Sequence, residues 1–151
     1  MGFTQSEAIE VRKIKSKGRG VFARRLIRKG ELIERVPVLV LPIEETEADT
    51  VLSNYCFAWG RNTVALALGY GSIYNHSFKP NARYDDTAPQ TKEFRALRNI
   101  KPGEEITINY NGEPRSRKRV WFPVLESKAP RGANGAVSRD GWVRGSIPLK
   151  G

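Results

Sequence analysis

The sequence predicts a mostly β domain. Three observations carry that reading. Apolar and polar residues alternate over short runs, as in Ile9-Glu10-Val11-Arg12-Lys13-Ile14 and Glu105-Ile106-Thr107-Ile108-Asn109-Tyr110. Turn signals built from Gly, Pro, Asn and Asp recur at roughly eight-to-twelve-residue intervals. Only the acidic stretch 42–50 is a candidate for a short helix, and there is no repeat of solenoid length.

In chain order, residues 1–8 read as a frayed start and Ile9–Ile14 as a half-buried strand. Lys15-Ser16-Lys17-Gly18-Arg19-Gly20 is a basic, glycine-rich turn before a strand at Val21-Phe22-Ala23, and Arg28–Glu31 is a second turn. Glu31–Leu41 is β-rich but interrupted by Pro37, which predicts an edge strand or two short strands joined by a bulge. Asn54–Trp59 and Thr63–Leu68 read as a hairpin across the tight turn Gly60-Arg61-Asn62. A polar loop, Gly69–Asn81, leads to a strand at Asn81–Tyr84. Asp85–Pro89 is a turn, Thr91–Ala96 a strand, Lys101–Glu104 a turn and Glu105–Tyr110 the last strand. Beyond Asn111 the pattern dissolves into one apolar island, Val120–Leu125. The rest, 126–151, reads as irregular, with Trp142 as an anchor.

The chain has 151 residues, 39% apolar and 28% charged, which suits one domain with a trailing extension. No apolar run approaches the ~18 residues of a membrane span, and no secretory signal is present. A single cysteine, Cys56, excludes an internal disulfide and a thiolate zinc cluster, so the expectation is a cytoplasmic protein with no metal and no membrane. The net charge of +10 is uneven. Residues 1–112 carry 17 Lys/Arg against 13 Asp/Glu, whereas 113–151 carry 9 against 3. The basic tail suits either contact with nucleic acid or plain solvation.

The loop 69–81 concentrates the polar chemistry: Tyr70, Tyr74, Asn75, His76, Ser77 and Asn81. There is no GxSxG elbow and no Walker loop. His76, the lone histidine, is either structural or a partner for Ser77 or Cys56, and nothing local builds a triad. Gly18-Arg19-Gly20 alone is a hairpin turn as readily as a ligand cradle. Tyr70, Tyr74, Tyr110, Trp121 and Phe122 are core residues on composition alone.

The order of these pieces is more specific. Gly18-Arg19-Gly20, then Asn75-His76-Ser77-x-x-Pro80-Asn81, then Gly103-Glu104-Glu105-Ile106-Thr107-Ile108-Asn109-Tyr110 resembles the SET domain of protein lysine methyltransferases. The resemblance covers residues 8–122 and leaves 123–151 as a basic, Gly- and Pro-containing extension.

It implies a β-clip of short curved sheets with a C-terminal pseudoknot and little helix, in which the Asn-His loop meets the Tyr110 strand. It implies transfer of a methyl group from S-adenosylmethionine to a lysine ε-amine. By the same resemblance Lys17, Gly18, Arg19 and Gly20 would line the methionine end of the cofactor. Asn75 and His76 would hold its amino-acid and adenine portions, and Trp121 and Phe122 would close over it. Tyr110 would be the catalytic tyrosine, and Tyr70 and Tyr74 would lie along the lysine channel.

Three departures stand out. Arg35-Val36-Pro37 replaces a Tyr-x-Gly, Phe78 stands where many members have cysteine, and Asn109 where many have aspartate. Without cysteine-rich flanks, the chain looks like a minimal bacterial or viral form, located in a cytoplasm, a bacterial nucleoid or a host nucleus. Its expected partner is a lysine-bearing basic protein or peptide, drawn to an acidic rim at 42–50, Asp85-Asp86 and Glu104-Glu105. Its expected state is monomer or homodimer. The competing readings are a SET-like binding module without turnover and a nucleic-acid-binding β-domain stacking bases on Tyr55, Phe57 and Trp59.

Overall fold

The computed structural model describes residues 2–46, 50–87, 89–120 and 124. Nine strands make two sheets. β1 (Ile9–Ile14), β2 (Gly18–Ala23), β6 (Asn75–His76) and β9 (Glu105–Ile108) form one, in the order β1-β2-β9-β6. The other is five-stranded: β4 (Cys56–Ala58), β5 (Thr63–Ala67), β3 (Leu32–Pro42), β8 (Thr91–Ala96) and β7 (Ala82–Thr87). Helical structure among the described residues is limited to 3-10 turns at Ile43–Glu45 and Leu52–Tyr55. The mostly β expectation holds.

Alternation explains why β8 and β9 form where they do, since Phe94, Ala96, Ile106 and Ile108 are buried in a core shared by both sheets while β1 adds Ile9 to it. Three local expectations are corrected. β3 is continuous and central, and its register shift lies between Leu32 and Glu34 instead of at Pro37. Proline is tolerated because β3 changes partner there. Its first half pairs with β8, its second half pairs with β5, and the Pro37 carbonyl accepts the Leu68 amide. Asp85-Asp86-Thr87 continues β7 instead of turning, and residues 52–55 form a 3-10 turn before β4.

β6 and β9 run parallel, Asn75 opposite Thr107 and His76 opposite Ile108. This is the meeting of the Asn-His loop with the Tyr110 strand that the pseudoknot requires. The motif residues serve that pairing. The Ser77 amide donates to the Ile108 carbonyl, and Ser77 Oγ accepts the Lys79 amide. Asn81 Nδ2 donates to the Glu105 carbonyl at 2.7 Å while Oδ1 accepts the Thr107 amide at 2.9 Å. Asn109 Nδ2 reaches the carbonyls of Pro114 and Ser116, holding the chain after β9, and Val120 and Val124 return to the core. Trp121, Phe122 and all of the predicted extension 123–151 except Val124, including Trp142, lie outside the described residues.

Candidate active site

β6 and β9 place Tyr110 in the interior. Its hydroxyl donates to the Tyr74 carbonyl at 2.6 Å. A carbonyl can only accept, so the phenolic proton is committed to that bond and the oxygen lone pairs face elsewhere. Burial, then the negative charge of Glu105, pushes the phenol well above its ordinary range, so Tyr110 is neutral at every ordinary pH.

The Tyr110 amide donates to His76 Nδ1 at 2.9 Å. The neutral imidazole therefore carries its proton on Nε2. Burial lowers the His76 pKa from 6.5 to about 4, and its ring packs edge-on to Phe78 at 4.6 Å and tilted against Tyr110 at 5.3 Å. His76 is thus a fixed acceptor that orients the Tyr110 backbone.

That depressed pKa has a consequence for stability. Between pH about 4 and 6.5 the unfolded chain binds a proton at His76 that the folded chain refuses. Folding stability should therefore fall as pH drops through this window, by about 3 kcal/mol in full. The chain has one histidine, so its imidazole resonance is unambiguous. A titration midpoint near 6.5 in the folded protein would contradict this.

Position 20 is closely packed by the ends of three side chains. A Cβ there would lie 2.6 Å from Ile14 Cδ1, 2.7 Å from Glu105 Oε2 and 2.9 Å from Asn75 Nδ2. Gly18 has φ +81°, which turns the chain out of β1. Around this turn Asn75 Nδ2 donates to the Arg19 carbonyl at 2.7 Å and to Glu105 Oε2 at 2.8 Å. Lys17 Nζ pairs with Glu105 Oε1 at 3.1 Å, both largely buried. Lys17, Gly18, Arg19, Gly20, Asn75 and His76 therefore come together beside Tyr110.

Tyr74 and Tyr70 are placed differently. Tyr74 is fully buried, stacked on Phe94 at 4.4 Å, and its hydroxyl donates to Glu34 Oε1 at 3.0 Å. It meets Tyr110 through its backbone carbonyl. The Tyr70 amide donates to Glu34 Oε2 at 2.9 Å, while its ring lines a groove with Phe3, Arg35 and Leu68. Trp121 and Phe122 lie outside the described residues.

Sequence reasoning missed Glu34 and Tyr84, and read Glu105 only as part of a motif and of an acidic rim. Both glutamates are polar positions in strands, yet both turn inward to hydrogen-bond donors. The Tyr84 hydroxyl reaches the Tyr110 carbonyl at 3.4 Å. The acidic rim needs correcting in part. Asp85 pairs with Arg83, Asp86 with Lys92, Glu104 with Arg98 and Glu105 with Lys17, leaving Glu44 and Glu45 exposed. The aromatics Phe57 and Trp59 pack inward against Lys92, so they form no stacking platform for bases. No group of three or more His, Cys, Asp or Glu able to hold a metal occurs among the described residues. No helix among them is long and apolar enough to cross a membrane.

The SET domain family model matches residues 18–111, from the Gly-x-Gly turn through the residue after Tyr110. The chain belongs to the SET-domain family. It is similar to the histone-lysine N-methyltransferase, H3 lysine-37 specific, of Schizosaccharomyces pombe, at 37% identity over 82% of each chain. It also matches the histone-lysine N-methyltransferase Suv4-20 of Caenorhabditis elegans, at 28% identity over 56% of this chain and 31% of that one. Among solved structures, a Plasmodium falciparum protein assigned as a histone methyltransferase superposes with TM-score 0.60 at 33% identity, covering 71% of this chain and 94% of that one. A PRC2 complex bound to S-adenosylmethionine, 18% identical with TM-score 0.56 over 74% of this chain and 16% of that one, shares the fold. This SET domain is a protein-lysine methyltransferase, of a family whose methyl donor is S-adenosylmethionine. The named organisms are all eukaryotes, which does not support a bacterial or viral origin.

Proposed function

We propose that this SET domain binds S-adenosylmethionine at the Lys17–Gly20 turn and methylates a lysine of a histone. The observation that carries the reading is the Tyr110 hydroxyl, neutral, buried and pinned to the Tyr74 carbonyl, one residue before the Asn75 that holds the Arg19 carbonyl of that turn. The residues fit a zwitterionic amino-acid end: Lys17 offers a cation for a carboxylate, and Glu105 a carboxylate for an ammonium. Asn75 sits between them. When bound, S-adenosylmethionine supplies an electrophilic methyl carried on a sulfonium.

The chain's own part is orientation and charge. Lys17, Asn75 and Glu105 hold the donor. With its proton on Tyr74, the Tyr110 oxygen presents only lone pairs, which suits alignment of an electron-poor methyl with an incoming amine. Neither Tyr110 nor His76 is a base, since one keeps its proton and the other has Nδ1 committed. The lysine must therefore arrive neutral. The Tyr84 hydroxyl on the Tyr110 carbonyl and the aromatic core behind Tyr74 keep this geometry fixed.

A histone substrate is supported by the names of the relatives, and it would place the chain in a nucleus. Exposed Glu44 and Glu45 suit attraction of a basic segment. The test is incubation of the full chain with labelled S-adenosylmethionine and, in parallel, core histones or a cell lysate, with the modified residue mapped by mass spectrometry. Label on a histone lysine is expected. Label confined to non-histone proteins of a lysate would overturn the substrate while leaving the methyltransferase reading intact.

A further inference from the structure

We infer that a basic face of the folded domain, made by segments outside the tail sequence, docks on the phosphate backbone of duplex nucleic acid. Two segments make it, 24–31 and 95–101. Together they hold seven Lys/Arg against one acidic residue, Glu31, a net of +6, although residues 1–112 as a whole net only +4. The remainder of that stretch is therefore slightly acidic. The run Arg12–Arg19 carries five more Lys/Arg and no acidic residue, so this face is one of two concentrations of positive charge within residues 1–112.

The fold makes the two segments one surface. Ile27 and Ile100, both fully buried, exchange backbone hydrogen bonds of 2.9 and 2.8 Å in an antiparallel bridge. The Lys29 amide donates to Asn99 Oδ1 at 2.9 Å, locking the register. Arg28 and Lys29 are thereby held beside Asn99 and Arg98, with Lys101 next along. Arg24, Arg28, Lys29, Arg98 and Lys101 are all exposed.

Some charge is neutralised internally: Arg25 pairs with Glu7 and Glu31, Arg95 with Glu93, and Arg98 with Glu104. Arg24, Arg28, Lys29 and Lys101 have no ion pair among the described residues. Four exposed cations on turns joined by a β-bridge, Arg24 also donating to the Glu7 carbonyl at 3.4 Å, suit a polyanion, because each neutralised phosphate releases counterions.

The occupant follows from what the face lacks. Neither segment contains Phe, Tyr or Trp, so there is no surface on which unpaired bases could stack, and a duplex backbone is favoured over a single strand. Leu26 is the one exposed large apolar residue there, too little to anchor the face in a lipid surface. Guanidinium groups suit phosphate oxygens by fork geometry. The face begins where β2 ends, and the Lys17–Gly20 turn lies at the strand's other end. A docked duplex would leave the candidate active site free.

The test uses the full chain, including its basic tail. Binding of a labelled duplex DNA is followed by fluorescence anisotropy over a series of salt concentrations. The double variant Arg28→Glu/Lys29→Glu is compared with Lys13→Glu/Lys15→Glu, an equal charge change at exposed positions on and beyond β1. Expected is at least a tenfold loss for the first and under threefold for the second. The slope of log affinity against log salt should fall by about 2 for the first, one per phosphate contact.

Equal losses would assign the effect to net charge, and no loss would assign binding to the tail; either overturns the proposal. Arg28→Gln/Lys29→Gln, which removes charge without reversing it, keeps the answer should reversal unsettle the bridge. Polyglutamate and anionic vesicles serve as competing occupants. A loss on either as large as on the duplex overturns the nucleic-acid assignment. Every readout is a binding measurement, so the result stands apart from any outcome for methyl transfer.

Discussion

Tyr110→Phe should lower the rate of methyl transfer by about 10²–10³-fold while changing cofactor affinity by less than about threefold, the range for deleting one preorganised polar group at a reacting centre. The ring stays, with its packing against His76, and so does the backbone amide bond to His76 Nδ1. What leaves is one oxygen. It is the group whose proton is spent on the Tyr74 carbonyl and which the proposed function sets at the reacting centre. The buried Tyr74 carbonyl loses its phenolic donor, which should cost about 1–2 kcal/mol of stability. Lys17, Asn75 and Glu105 hold one another through bonds that do not involve the phenol. Single-turnover rates, with cofactor binding measured separately by calorimetry, distinguish the cases. Equal losses in rate and affinity would show Tyr110 to be a binding residue instead.

How much of this was legible in the sequence differs between elements. β1 and β8 are read to the residue because alternation over six residues has a period to detect. The Asn75-His76 strand is invisible by that route: two residues have no period, and their partner β9 lies far along the chain. Its presence came instead from the order of the motifs. Asp85-Asp86 looked like a turn because aspartate favours turns, but Arg83 and Lys92 neutralise the two carboxylates and allow β7 to continue. Pro37 looked like a break because a proline cannot donate in a ladder, yet the change of partner along β3 leaves it a place. The motif residues were found, and the structure adds packing and clamping work to the roles that the resemblance gives them. Gly20 is closely packed, Asn81 is the clamp on β9, and Tyr74 contributes a carbonyl to the site while its ring belongs to the core.

Lys92→Ala should destabilise the fold by about 3 kcal/mol, whereas Lys92→Met should cost much less. Lys92 stands in an alternating strand where a lysine would be expected to face water, yet its side chain is 1% exposed. Its ammonium lies 4.2 Å from the centroid of Phe57, 4.4 Å from that of Tyr84 and 5.5 Å from that of Trp59, and it pairs with Asp86. Phe57 is on β4 and Tyr84 on β7, the two outer strands of the five-stranded sheet, and their rings meet edge to face at 5.0 Å. The sheet curls until its edges touch, and Lys92 fills the inside of the curl.

Alanine would empty that space, a cavity penalty of about 2–5 kcal/mol for a long buried side chain. Methionine fills it and removes the cost of burying a charge. In exchange it gives up cation–aromatic attraction of about 0.5–2 kcal/mol. Asp86 is half exposed and finds water in either variant. Burial lowers the Lys92 pKa, with Asp86 opposing the shift. Below 10.5 there is then a window in which the unfolded chain binds a proton that the folded chain has released. Wild-type stability should gain from Lys92 as pH rises through that window, and Lys92→Met should lose that gain. Urea unfolding of the three proteins, at neutral pH and again on the alkaline side, reads both effects. If methionine costs as much as alanine, the ammonium itself and not the filled volume closes the sheet.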